Sequence, residues 1–209
     1  MESQGVLSCT AFDGPRRIAS GALAQVVLKS KEVIDAGPAA TVLIFDDATS
    51  ETIEVDFRGS AEEVLDRLEK SAIAAAAPVA AESQAPRGPG RPKLGVVARE
   101  VTLLPRHWTW LNAQPGGASV ALRKLVEEAK RNNEGKDHRR RVQESAYRFM
   151  SIMAGNLPDY EEAIRALFAD DLDRLKTRIQ GWPDDLQAHI LRLVEEPRSM
   201  AVATADSVS

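Results

Sequence analysis

Between residues 71 and 93 the apolar periodicity that runs through the rest of this 209-residue chain stops. Ala, Pro, Gly, Ser and Gln dominate there, as they do in linkers that bury no core of their own. A flexible stretch of this length spans roughly 25 Å end to end. The sequence therefore predicts two ends free to sit independently, an N-terminal unit over 8–70 and a helical one over 137–196. Aromatic residues make up only 5% of the chain, so its core has to be built mostly from Ala, Leu, Val and Ile.

The N-terminal unit reads as a small α+β domain of order β-β-α-β-β-α. Thr10–Phe12 and Arg17–Ile18 flank an Asp13-Gly14-Pro15 turn signal. Leu23, Val26, Val27 and Leu28 open a helical period that ends before Gly37-Pro38. Thr41–Phe45 and the run Thr52, Ile53, Val55, Phe57 are strand-like, and the turn chemistry of 46–50 predicts a hairpin between them. Ser60 with Glu63 three residues on is a capping box, with Val64, Leu65 and Leu68 as the apolar face behind it.

The C-terminal part reads as a helical bundle. Val142, Ala146, Phe149 and Met153 share one helix face. Asn156 is placed to cap a helix starting at Pro158, with Tyr160, Ile164, Leu167 and Phe168 along it. Asp170 or Asp171 caps the next, which carries Leu172, Leu175 and Ile179 and ends at Gly181. Pro183 opens the last, with Leu186, Ile190, Leu191 and Val194 inward. The tail over 197–209 is small and polar and is expected to be disordered.

Charge sets the middle of the chain apart. From Pro86 to Arg141 there are 13 Lys/Arg against 5 Asp/Glu, whereas residues 1–85 carry 7 against 14 and residues 142–209 carry 7 against 12. A basic centre between acidic flanks, in a chain of net charge −4, points to a local polyanion site rather than a coat of charge. Within it, Arg99–Leu104 is strand-like, Pro105 starts a helix through Trp108 and Leu111 to Gln114, and Pro115-Gly116-Gly117 stops it. Ser119 can cap a second helix bearing Ala121, Leu122, Leu125 and Val126.

This strand-helix-turn-helix, spanning 95–132, resembles the ribbon-helix-helix DNA-binding fold, in which strands of two chains pair into a ribbon that enters the major groove. The resemblance implies a homodimer, with Arg99, Val101 and Leu103 toward the groove, Glu100, Thr102 and Leu104 inward, and Ser119 and Val120 at a phosphate clamp. Members of that fold carry polar readers on the outward face; Val101 and Leu103 depart from this, so the resemblance implies weak base discrimination. Gly90-Arg91-Pro92 is similar to the core of the AT-hook, a minor-groove element, but Pro89 stands where a hook has its other Arg. The stretch from Gly90 to Val126 also resembles the signature block of a bacterial family, domain of unknown function 2239, and the likeness extends over most of residues 8–195. That family implies one inherited architecture and no catalytic residues.

Two functional readings follow. In the first, the chain binds duplex DNA with little sequence preference, and Arg91, Lys93, Arg99, Arg106, Arg123 and Lys124 contact phosphates while Ser119 clamps one. In the second, the same segment belongs to a protein-interaction scaffold: Trp108 and Trp110 are core and edge aromatics, and Arg139–Arg141 pair with the acidic flanks. An enzyme is not expected. No P-loop, G-x-S-x-G elbow or H-E-x-x-H is present, and the three His stand far apart in sequence. The adjacent pairs Asp46-Asp47 and Asp184-Asp185 point apart and suit turns and caps. Cys9, the single cysteine, is expected to be a buried or incidental thiol, and no metal or cofactor is expected. With neither a secretory leader pattern nor a run of about 18 apolar residues, the sequence is read as cytoplasmic with no membrane contact.

Overall fold

The computed structural model describes residues 7–37, 41–76, 97 and 99–205. It is α+β, with three strands near the N-terminus and seven helices among the described residues. The chain divides into two compact units, one made of residues 1–76 together with 136–209 and the other of residues 77–135. The two ends expected to be independent are thus one folded body.

β1 (Ser8–Asp13) and β2 (Arg16–Ala22) form the expected hairpin across Gly14-Pro15, with Gly14 at φ +54°. β3 (Val42–Asp46) pairs antiparallel with the other side of β1, which places β1 in the centre in the order β2-β1-β3. The expected fourth strand shrinks to one bridge between Phe45 and Thr52, although Ile53, Val55 and Phe57 still pack on the core.

Burial on both sides of β1 explains why the ends fold together. Cys9, Thr10, Ala11 and Phe12 are all buried. Successive strand residues point to opposite faces, so Cys9 and Ala11 meet one apolar cluster and Phe12 another. The first cluster adds Val26 and Val27 of α1 (Leu23–Ala36), Ile44 of β3 and Val64 of α2 (Ala61–Ala76). The second joins Phe12 and Phe45 to Phe149, Met150, Leu186 and Ile190 from the C-terminal helices. A sheet with helices on both faces needs chain from both ends to cover it. Phe12, Phe45 and Phe149 form an aromatic nucleus with ring centroids 5.1 to 6.2 Å apart.

Local signals set the helix starts. At α2, the Ser60 hydroxyl accepts from the Glu63 amide at 3.3 Å while the Glu63 carboxylate accepts from the Ser60 amide at 2.8 Å, which completes the capping box. Asp171 caps α6 (Leu172–Ile179) by accepting from the Arg174 amide at 3.0 Å. At α5 (Tyr160–Phe168) Asp159, not Asn156, stands at the N-cap, in a left-handed conformation and without a side-chain cap bond. Here Pro158 belongs to the preceding turn. The final helix, α7 (Asp184–Ala205), continues through residues 197–205, where the sequence predicts disorder. Trp182 is buried between α6 and α7 and donates its indole N–H to the Pro158 carbonyl at 2.8 Å.

The central unit contains α3 (Pro105–Asn112) and the first part of α4 (Gly117–Met153). α4 is one helix of 37 residues, where the sequence suggests a second helix, a polar connector and a third. Asn133 and Gly135 are weak helix formers. Side-chain bonds at i, i+3 and i, i+4 spacing support this stretch, from Asn133 to the Ala129 carbonyl at 2.9 Å and from Arg140 to Asp137 at 2.9 Å.

Candidate functional site

The turn before α4 is fixed by its glycines. Gly116 and Gly117 stand at φ +85° and +74°, and a Cβ on Gly116 would lie 3.1 Å from the Val120 side chain. α4 therefore begins at Gly117, and Ser119 lies within its first turn rather than at its cap. The Ser119 carbonyl accepts from Arg123 Nε at 3.1 Å, which lays the guanidinium along the helix.

Arg99–Leu104 is not a strand. Among these residues no ladder pairs the backbone, and Arg99, Glu100, Val101, Thr102 and Leu104 are all exposed, without the inside-outside alternation expected of them. The Leu104 carbonyl accepts from the His107 and Trp108 amides at 2.9 and 3.2 Å as α3 begins, whereas among the described residues no backbone hydrogen bond engages Arg99–Leu103, which leaves those amides and carbonyls open to a partner. Arg106, Ser119, Arg123 and Lys124 are exposed as well. Arg91 and Lys93, with the AT-hook-like tripeptide, lie outside the described residues.

Neither tryptophan of α3 is a core residue. Trp108 is 37% exposed and Trp110 52%, while Leu111 alone in that helix is buried. Leu125 and Val126 of α4 are 43% and 61% exposed, and Val97, Val101 and Leu104 are also open. The central unit thus combines uncovered apolar side chains with an excess of cations. By contrast, Arg139 meets Asp170 at 3.4 Å, and Arg140 faces Asp137 and Glu144, so part of the basic run is neutralised by nearby acids.

A second polar constellation, which the sequence does not reveal, lies inside the larger unit. Asp47 follows β3 and accepts from Thr10 Oγ1 at 2.6 Å, from Ser8 Oγ at 2.7 Å and from Arg192 Nη2 at 2.8 Å. Arg192 of α7 also donates to Thr10 Oγ1 at 2.9 Å and to His189 Nδ1 at 3.1 Å. His189 is 1% exposed, its ring centred 4.3 Å from Phe149 and 5.2 Å from Phe12. A guanidinium only donates, so Nδ1 accepts and the ring proton sits on Nε2, which finds no partner among the described residues. Burial first, then the Arg192 charge, lowers the His189 pKa to about 4, against the opposing pull of Asp47. For Asp47, burial pushes upward, but the bonds from Thr10, Ser8 and Arg192 outweigh it and hold the carboxyl below its ordinary value.

These groups tie β1, the β3 turn and α7 together, and no reactive geometry emerges from them. Asp46 and Asp47 do point apart: Asp46 accepts from the amides of Ala48 and Thr49, both at 2.8 Å, as turn chemistry requires. Only Asp47 turns inward. Cys9 is wholly buried, and burial followed by the charges of Asp47 and Asp46 lifts its pKa to about 11, so the thiol stays protonated and unreactive. No group of three or more metal-ligating side chains occurs among the described residues. Nor, among them, is any helix long and apolar enough to cross a membrane.

The model of an uncharacterised family of proteins conserved in bacteria, DUF2239, matches residues 8–194. The chain belongs to this family. Its match covers both units, so the basic centre and the tied N- and C-terminal ends are parts of one inherited architecture. Neither a curated protein nor a solved structure matches the chain.

Proposed function

We propose that this DUF2239 protein is a cytoplasmic DNA-binding or regulatory protein that grips the DNA backbone through its central unit, as a homodimer and with little sequence preference. The observation that carries this reading is the coincidence, in one unit, of exposed Arg99, Arg106, Arg123 and Lys124 with a segment, Arg99–Leu103, whose backbone has no hydrogen-bond partner among the described residues. A second copy pairing along Arg99–Leu104 would satisfy that backbone and cover Val101 and Leu104, and it would set two basic surfaces side by side. Arg91 and Lys93 precede this segment closely enough to join it at the phosphates. With Val101 and Leu103 in place of polar readers, affinity rests on charge, and discrimination between sequences stays low. The role is one of binding, without catalysis.

Electrophoretic mobility of labelled duplex DNA at rising salt tests the proposal. If six cations per chain meet phosphates, the dimer makes about twelve contacts and its affinity drops about a millionfold between about 50 and 200 mM salt. The triple variant Arg106→Ala, Arg123→Ala, Lys124→Ala removes half of them and flattens the salt slope by about 5. Absence of a shift at micromolar protein, or a triple variant that binds like the parent, overturns the reading.

The uncovered Trp108, Trp110, Leu125 and Val126 favour a second reading, a protein-interaction scaffold in which a protein partner covers them. Light scattering on a size-exclusion column separates the two: a dimer fits the first, and a strict monomer that binds no DNA fits the second.

A further inference from the structure

Arg106, Trp110 and Gln114 follow one another at intervals of four residues, the spacing that aligns side chains along one face of a helix. All of α3 between Pro105 and Trp110 is exposed, and Trp110 is the most open aromatic in the chain at 52%. The Gln114 amide donates to the Trp110 carbonyl at 3.1 Å, which fixes the turn of backbone from which the indole projects. The helix contains no acidic residue. The unit around it has 9 Lys/Arg against 5 Asp/Glu.

An exposed indole is unusual in a folded chain because leaving so large an apolar surface in water forfeits its burial. A duplex backbone offers it nothing, since phosphates and sugars have no π face and stacked bases hide theirs. An unpaired base does offer one. Aromatic rings beside guanidinium groups are the means by which proteins hold single strands: the ring stacks on the base and the cation meets the adjacent phosphate. A neutral or acidic partner peptide would leave Arg106 and its neighbours without counter-charge or give them less of it than a polyanion does.

We propose that α3 is a stacking platform and that the central unit takes single-stranded nucleic acid, with Trp110 stacked on an unpaired base, Arg106 on the flanking phosphate and the less exposed Trp108 as a lesser contact. This inference rests on the reading that the central unit meets nucleic acid, and it adds unpaired bases to the ligands of that surface.

The test compares oligo-thymidylate of about 20 nucleotides with duplex DNA of equal length, followed by anisotropy and by tryptophan emission. Trp182 is 4% exposed with its indole N–H bonded within the fold, so a change in emission on binding reports Trp108 and Trp110. The expected result is emission quenched by oligo-thymidylate, and binding weakened about tenfold or more by Trp110→Ala and largely restored in Trp110→Phe. Trp110 is exposed, so neither substitution removes a core contact. Oligo-thymidylate bound equally by parent and Trp110→Ala, or bound without a change in emission, overturns the stacking and leaves duplex binding standing. Duplex bound with no affinity for the single strand does the same. Failure of both ligands removes both proposals. Protection of the exposed indoles from acrylamide by rising protein concentration alone would place them between two copies of the chain, and would also overturn the stacking.

Discussion

The larger unit should lose stability as the pH falls below 6.5, and His189 should carry the loss. Its imidazole is buried between Phe12 and Phe149, and its Nδ1 accepts from Arg192, whose guanidinium stays charged throughout the accessible range. Protonating that nitrogen would remove the acceptor and set two cations 3.1 Å apart in a buried site. Burial, then the Arg192 charge, lowers the folded pKa from 6.5 to about 4, with Arg17 adding to the effect and Asp47 opposing it. The unfolded chain takes up the proton near 6.5 and the folded chain resists it. The neutral imidazole therefore contributes its full stability above pH 6.5, and that contribution drains away as the pH falls toward about 4. Each pH unit of separation corresponds to about 1.4 kcal/mol, so the whole window amounts to about 3 kcal/mol. Asp47 does not blur the result, since its carboxyl lies below 3.8 and its own contribution is lost at lower pH.

Urea unfolding at steps from about pH 7.5 to 5, above the range of ordinary carboxylates, measures the slope. The parent should lose about 1 kcal/mol or slightly more per pH unit below 6.5. His189→Phe keeps an aromatic ring among Phe12 and Phe149 and cannot titrate, so its slope over the same range should be much flatter. A parent with constant stability between about pH 6.5 and 5, or a His189→Phe variant with the same slope as the parent, would refute the assignment.

Phe149→Ala should cost about 3–5 kcal/mol, because the ring is wholly buried and meets Phe12, Phe45 and His189. In denaturant unfolding it should lower the stability of both chain ends in one transition; an N-terminal half that unfolds as in the parent would contradict a shared core. Gly116→Ala should destabilise the turn between α3 and α4 by about 1–3 kcal/mol, because φ +85° disfavours a Cβ that would also crowd Val120 at 3.1 Å. Amide hydrogen exchange should then accelerate around residues 112–120 and stay unchanged in β1, and uniform exchange across the chain would tell against it. Asp47→Ala should cost about 1–3 kcal/mol by leaving the half-buried Arg192 guanidinium and the Thr10 hydroxyl short of an acceptor, measured by the same urea titration.

Much of the fold is legible from residues close together in the chain. The Gly14-Pro15 hairpin, the Ser60–Glu63 box, the Asp171 cap and the apolar faces of α1, α5, α6 and α7 each need only a few neighbours to form. The elements over 99–141 are less legible. The β-branched, apolar composition of 99–104 suits a strand, but a strand needs a partner, and none pairs with it among the described residues. Asn133 and Gly135 suggest a break, but one weak residue costs a long helix only about 1 kcal/mol, and its neighbours absorb it.

Of the candidate sites, the charge excess of the centre was visible at once, because charge is a sum over residue types and needs no geometry. The exposure of Trp108 and Trp110 was not: an aromatic at helical spacing fits a core as well as a surface, and only the packing around it separates the two. The Thr10, Asp47, His189 and Arg192 cluster had no signal at all. Asp47 and Arg192 are 145 residues apart, and Asp47 stands beside an aspartate that does serve its turn. By itself the sequence determined the class of most elements, their caps and the distribution of charge, since these depend on local backbone preference and residue type. Tertiary structure alone decided that the two ends form one body around β1. A strand with side chains on two faces needs cover on both, and while α1 and α2 cover one face of β1, the other is covered by helices more than a hundred residues away.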